Sequence, residues 1–184
     1  MMNDEARHPL LQALATEGSA PSSVWAVLDG ARSPAIHLAL IESRLEYRSL
    51  YSGRLAPELD RASPQLVELP AGHRLRARLL DAGWGRSWGI FLVTDEPDNL
   101  RHHLRRWLKV RSANGRRYLF RFYDPRVLRA WLPTCTPDEL ARFFGPVQRF
   151  VCEGAGGRSV CEYAIERGVL VTRQRGVLPA LSVA

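Results

Sequence analysis

The side chains that could carry chemistry are few and poorly spaced for it. Of the five histidines, His102 and His103 are neighbours within a helical pattern. Adjacent helical residues point in different directions, so the pair cannot chelate one metal. His37 sits near the start of another helix, and His8 and His73 are isolated. None has an i+4 histidine or a Glu-x-x-His neighbour. The three cysteines, Cys135, Cys152 and Cys161, match no metal-ligand spacing. Cys152 and Cys161 can lie on paired strands, and the reading is buried, reduced thiols. Gly83 to Gly89 is glycine-rich but precedes a strand, whereas a phosphate cradle needs glycines at a helix N-terminus. It reads as a flexible loop with aromatic anchors at Trp84 and Trp88. There is no G-x-S-x-G elbow and no supported Cys-His pair.

Two carboxylates remain. Asp29 and Asp124 each follow an apolar strand pattern, with Arg32 and Arg121 nearby. In a mostly parallel sheet such ends share an edge and could do acid-base work. The simpler account makes Asp29 a turn residue and Asp124 a helix N-cap before Pro125. Arg121 either pairs with Asp29, Asp124 or Glu42, or is presented in a partner-binding groove. These observations lead us to expect no enzyme activity, no catalytic residue, no metal and no cofactor.

The net charge is +7, and 25 of the 26 basic residues are arginine, Lys109 being the exception. Clusters at Arg74-Arg76-Arg78, Arg101-Arg105-Arg106 and Arg111-Arg116-Arg117 read as solvated faces, with a phosphate-tracking surface as the alternative. No apolar run approaches a membrane span, and the N-terminus has no signal-peptide h-region, so a cytoplasmic protein is expected.

The elements that must position these groups follow from periodicity. A short helix over Pro9 to Leu14 precedes a Gly-Ser-Ala-Pro hinge. Val24 to Leu28 is a continuous apolar run ending in Asp29-Gly30, a central strand and tight turn. Ser33 caps a helix beginning at Pro34, with Ile36, Leu40, Ile41 and Leu45 as its stripe. Strands follow at 47–51 and 65–69, then a short helix at 75–80 and a buried strand at 88–93. Pro97 opens an amphipathic helix with Leu100, Leu104, Trp107 and Leu108 on one face. Asn114-Gly115 turns between a short strand near Val110 and a strand over Tyr118 to Tyr123. That strand's alternation puts Phe120 and Phe122 on one side, and Leu119, Arg121 and Tyr123 on the other. Asp124-Pro125 and the capping box Thr136-Pro137-Asp138-Glu139 open two further helices, and Gly145-Pro146 stops the second. Strands at 147–153, 160–166 and 169–173 read as an antiparallel meander, with a loose end from Val177. Trp25, Trp107 and Trp131 read as core. The class is α/β (α+β), a mixed sheet of four or five strands covered by helices, with a short β-rich C-terminal tail. The expected organisation is an N-terminal helix and hinge (1–22), one main domain (23–151) and the tail (152–184).

One string is distinctive. Phe120-Arg121-Phe122-Tyr123-Asp124-Pro125-Arg126-Val127-Leu128 closely resembles the F-R-F-Y-D-P-R-V-L signature of a bacterial family, domain of unknown function 4123. Other segments resemble the family's strings in the same order: Leu28-Asp29-Gly30-Ala31; Leu50-Tyr51-Ser52-Gly53 with Pro64-Gln65-Leu66-Val67; Trp88-Gly89-Ile90-Phe91-Leu92; His103-Leu104-Arg105; and Phe144-Gly145-Pro146. Together they span roughly Val24 to Val151.

The resemblance implies an effector chaperone, or adaptor, of the type VI secretion system. Such a protein holds a cognate toxin, helps load it on the VgrG spike and is not itself secreted. It implies no cofactor and no reaction. Many members carry a longer variable C-terminal region, whereas only a short β-rich tail follows Pro146 here. The partners expected are therefore an effector protein and the VgrG spike, with no membrane. A basic nucleic-acid-binding module is the alternative. As aromatic and arginine anchors of the kind that dominate protein interfaces, the candidate partner contacts are Trp84, Arg121, Tyr123, Arg126 and Phe150.

Overall fold

In the computed structural model, which describes residues 8–15, 22–111 and 115–177, the first apolar run forms β1 (Ser23–Asp29) at the heart of a sheet. It is hydrogen-bonded on both sides, to β3 (Pro64–Glu68) and to β4 (Gly89–Thr94). The order is completed by β2 (Tyr47–Ser49) beyond β3, and by β7 (Val147–Glu153), β8 (Ser159–Glu166) and β9 (Val169–Gly176) beyond β4. The helix-and-sheet class is as expected, but the sheet differs from expectation. It has seven strands, and every pairing is antiparallel. A continuous apolar run reports that both faces of a strand are covered, not the direction of its neighbour. The tail continues this same sheet, so the boundary expected at residue 151 falls inside β7.

Both faces are covered. On one, α5 (Pro97–Arg106), α6 (Pro125–Trp131) and α7 (Pro137–Phe144) lay Leu100, Leu104, Leu128 and Phe143 over Val27, Ile90, Leu92 and Phe150. On the other, α1 (Pro9–Ala13), α2 (Pro34–Ser43) and α4 (Arg74–Arg78) lay Leu10, Ile36, Leu40 and Leu75 over Ala26, Leu28, Val67 and Val93. α3 (Pro57–Ala62) buries nothing. Arg149 of β7 fastens α1 by donating to the carbonyls of Ala13 and Ala15. Trp25, Trp107 and Trp131 pack half-buried against the first cluster, as expected of core residues. The stripe of α2 is corrected at Ile41, which is 54% exposed, while Ala39 and Ser43 turn inward with Ile36 and Leu40.

The caps form as the sequence indicates. Ser33 accepts from the Ala35 amide, Asp124 accepts from the Arg126 amide, and Thr136 and Glu139 exchange both bonds of a capping box. Gly30 and Gly89 are fixed by close backbone approach. A Cβ on Gly30 would lie 2.0 Å from the Arg61 carbonyl oxygen, and one on Gly89 would lie 2.2 Å from that of Val27.

A two-stranded ribbon, β5 (Lys109–Arg111) with β6 (Arg117–Leu119), stands apart from the main sheet. Asn114 of the expected turn, the hinge at 18–21 and residues 178–184 lie outside the described residues. The strand expected to run to Tyr123 stops at Leu119. There the chain turns, with the Asp124 amide donating to the Arg121 carbonyl at 2.9 Å. Strict alternation is lost, and both Phe122 and Tyr123 are buried. Among the described residues, no helix is long and apolar enough to cross a membrane.

Candidate functional site

The distinctive string ends in a polar seam at the C-terminal end of β1. Asp29, only 1% exposed, is ion-paired by the Arg121 guanidinium. Burial alone would lower the Arg121 pKa; the Asp29 charge and hydrogen bond outweigh it and hold that pKa above its ordinary value. Next to this pair, the Tyr123 hydroxyl is pushed well above its ordinary range, first by burial, then by Tyr51, which is hydrogen-bonded to it, and by Asp29. Asp124 caps α6 and also takes a two-pronged bond from Arg126, at 2.9 Å to Oδ1 and 2.6 Å to Oδ2. Burial would raise the Asp124 pKa, but Arg126 prevails and holds the carboxyl below its ordinary range. The sheet places Asp29, the turn after β6 places Arg121, and the N-terminus of α6 places Asp124. Asp29 and Asp124 are thus brought to one seam, each bound to an arginine.

Another buried carboxylate escaped sequence reading. Glu153, at the end of β7, accepts from the Gly85 amide at 2.6 Å and the Ser87 amide at 2.9 Å. Its own carbonyl accepts from Arg129 of α6. The glycine-rich loop is therefore a clamp around a carboxylate, not a free tether. The Trp84 indole Nε1–H donates to the Gly157 carbonyl at 2.7 Å, and the ring meets His8 edge-on. No local signal in the loop points to a partner 66 residues away.

His103 lies on the inner face of α5, 7% exposed, with Nε2 at 2.7 Å from the Phe143 carbonyl oxygen. A carbonyl only accepts, so Nε2 carries a proton. The ring lies against Gly145, where a Cβ would come within 2.4 Å of it. Burial lowers the His103 pKa, the Phe143 carbonyl opposes this, and Arg106 and His102 add to the lowering.

Of the candidate contacts, Arg121 and Arg126 are partly exposed, with 41% and 53% of their side chains accessible, but each is engaged by a carboxylate. Trp84 is half-buried in the clamp. Tyr123 is buried, and Phe150 is a correction: it is fully buried, stacked on Phe143 at 4.9 Å, and so is a core residue with no surface to offer a partner. An alternating strand does not reveal which face a helix will cover. Cys152 and Cys161 sit directly opposite each other on β7 and β8 as free, buried thiols. Among the described residues, no three or more His, Cys, Asp or Glu groups are gathered as a metal site would require.

What the surface offers is a groove. It holds about 530 Å³ between α5, the β5–β6 ribbon and the segment after β2. Leu50 and Leu108 form its floor, and Leu55 and Leu119 its aliphatic walls; His102, Arg105, Arg106 and Lys109 stand at its rim. Leu119 is 50% exposed. Tyr51 links this groove to the seam. It was not legible in the sequence, because the segment after β2, α5 and β6 come together only through the tertiary fold.

No curated protein and no solved structure matches the chain. A family model does, over residues 24–142, and its description is a domain of unknown function, DUF4123. That span contains Asp29, Arg121, Tyr51, Tyr123, Asp124 and Arg126, the residues that meet in the seam. More than half of the chain is covered, and the protein belongs to the DUF4123 family.

Proposed function

We propose that this protein is a cytoplasmic, non-catalytic adaptor that binds a cognate type VI secretion effector and assists its loading onto the VgrG spike. The groove carries the reading: an open aliphatic trough with a cationic rim is suited to holding a polypeptide. Three of the buried carboxylates support it from the other side. Asp29, Asp124 and Glu153 each hold the fold together through an ion pair, a helix cap or a loop clamp. The role itself comes from the resemblance of Phe120 to Leu128, and of the strings around it, to effector chaperones.

The test is co-purification of the tagged full-length chain from its native host, with deletion of its gene alongside. Recovery of one toxin and loss of that toxin's delivery on deletion are expected. Recovery of neither a toxin nor a spike protein overturns the reading. The competing nucleic-acid reading predicts salt-sensitive oligonucleotide binding with a slope set by several phosphates.

A further inference from the structure

We infer that the groove between α5 and the β5–β6 ribbon is the cargo-docking surface, and that its occupant is an acidic amphipathic segment of the partner protein. This rests on the adaptor reading and adds to it a place and a chemistry.

Charge complementarity argues for the occupant. The groove's titratable lining is His102, Arg105, Arg106 and Lys109 at the rim and the Tyr51 phenol, with no carboxylate. Among the described residues no Asp or Glu lies within ion-pair distance of Arg105, Arg106 or Lys109. The rim charge is therefore left for a ligand to neutralise. Two other grooves differ. One is edged by Glu46, Glu68 and Asp98 as well as Arg48 and Arg101. The other is edged by Glu42 and Asp81 as well as Arg44, Arg74 and Arg78. Those rims are mixed in sign and call for no particular charge in a partner.

The floor decides the class of polyanion. Single-stranded nucleic acid binds on flat aromatic platforms beside cations. Here the floor and walls are four leucines with one tyrosine. Aliphatic walls reward aliphatic or aromatic side chains from a peptide, placed at i, i+3 and i+4 on a helix, with carboxylates between them reaching the rim. Leu119 is the most exposed part of the wall, and a free chain must leave it wet.

The test uses the full chain, isotopically labelled, and four probes. The first is a synthetic helical peptide with Leu and Phe at i, i+3 and i+4 and Glu elsewhere. The second replaces its Glu by Lys, the third replaces its Leu and Phe by Ser, and the fourth is a single-stranded oligonucleotide. The first should shift the amides of Leu55, Lys109 and Leu119, and the other three should bind about tenfold more weakly or not at all. Leu119→Asp and the exposed Arg106→Glu should each weaken the first probe by about tenfold, roughly 1.4 kcal/mol, while far-UV circular dichroism stays unchanged. Equal or tighter binding of the oligonucleotide, or shifts elsewhere on the surface, overturns the assignment. The native partner separates this from the adaptor reading. If L119D and R106E capture the toxin as well as the unmodified chain does, the groove assignment falls and the adaptor reading stands. If the unmodified chain captures none, the adaptor reading falls.

Discussion

Arg121 and Asp29 lie 92 residues apart in sequence and meet as an ion pair at the end of the central strand. The carboxylate is almost wholly buried and the guanidinium is partly in water. Removing the arginine strands a buried charge. Arg121→Ala should therefore destabilise the fold by about 2–3 kcal/mol, less than a fully buried pair because Arg121 is screened by solvent. Urea unfolding measures this. Adding Asp29→Asn to that variant should restore part of the loss; no recovery would mean that Asp29 is held mainly by its backbone turn.

Asp124 performs two tasks at once, capping α6 and binding Arg126. Asp124→Ala should cost about 1–2 kcal/mol, and Asp124→Ser, which keeps the cap, about half of that. Its carboxyl titrates below the ordinary 3.8 when folded. The unfolded chain then takes up the proton first. The stability this group contributes is fully present above that ordinary value and is lost as pH falls through the lower folded one. An acid-unfolding curve of Asp124→Asn should be flatter over that interval.

His103 gives a separate window at higher pH. Its folded pKa lies below the ordinary 6.5, with burial as the largest cause. The neutral ring's contribution is complete above 6.5 and declines as pH falls from there through the folded value. His103→Gln keeps a donor for the Phe143 carbonyl and cannot titrate. Thermal midpoints from pH 7 down to about pH 5 should decline for the native chain and show a weaker slope for the variant.

The Glu153 clamp should be visible in amide exchange. Glu153→Gln retains one acceptor oxygen but turns an NH₂ group toward a backbone donor. Exchange at the Gly85 and Ser87 amides should accelerate by one to two orders of magnitude, matching about 1–3 kcal/mol for the lost charge-assisted bonds. Amides in the centre of β1 should change far less.

Thiol reactivity separates the cysteines. Burial, with a smaller contribution from Glu139, pushes the Cys135 thiol up to about 11. Cys152 is raised further still, chiefly by burial. In the folded protein at pH 8, Cys135 should react slowly with a disulfide reagent, and Cys152 and Cys161 only on unfolding. Rapid modification of Cys152 in the native state would contradict its place on β7 in the core under the helices.

The sequence exposes those features whose causes are local. Ser33, Asp124 and Thr136 announce caps, because each partner lies within three residues. The apolar runs of β1 and β4 announce coverage on both faces. Relationships over long separations are hidden. The antiparallel order, the clamp of Glu153 on the Gly85 loop and the groove beside α5 depend on where distant segments land. Arg121 lies between the two cases. Its strand pattern raised the question of a carboxylate partner with Asp29 among the choices, and only the fold answered it. Phe150 misled because its type fits an interface anchor equally well as a core residue.

The single pairing between β4 and β7 also imposes a timetable. The chain leaves β4 at Thr94 and rejoins the sheet at Val147. During synthesis the first four strands therefore exist with the β4 edge unpaired, and with Val27, Ile90 and Leu92 only partly covered, by α5 and then α6, until Phe143 of α7 leaves the ribosome. The last three strands are neighbours in sequence and can zip within moments of emerging. The interval exposed to aggregation thus lies between the synthesis of Thr94 and that of Val147, when the β4 edge has no partner.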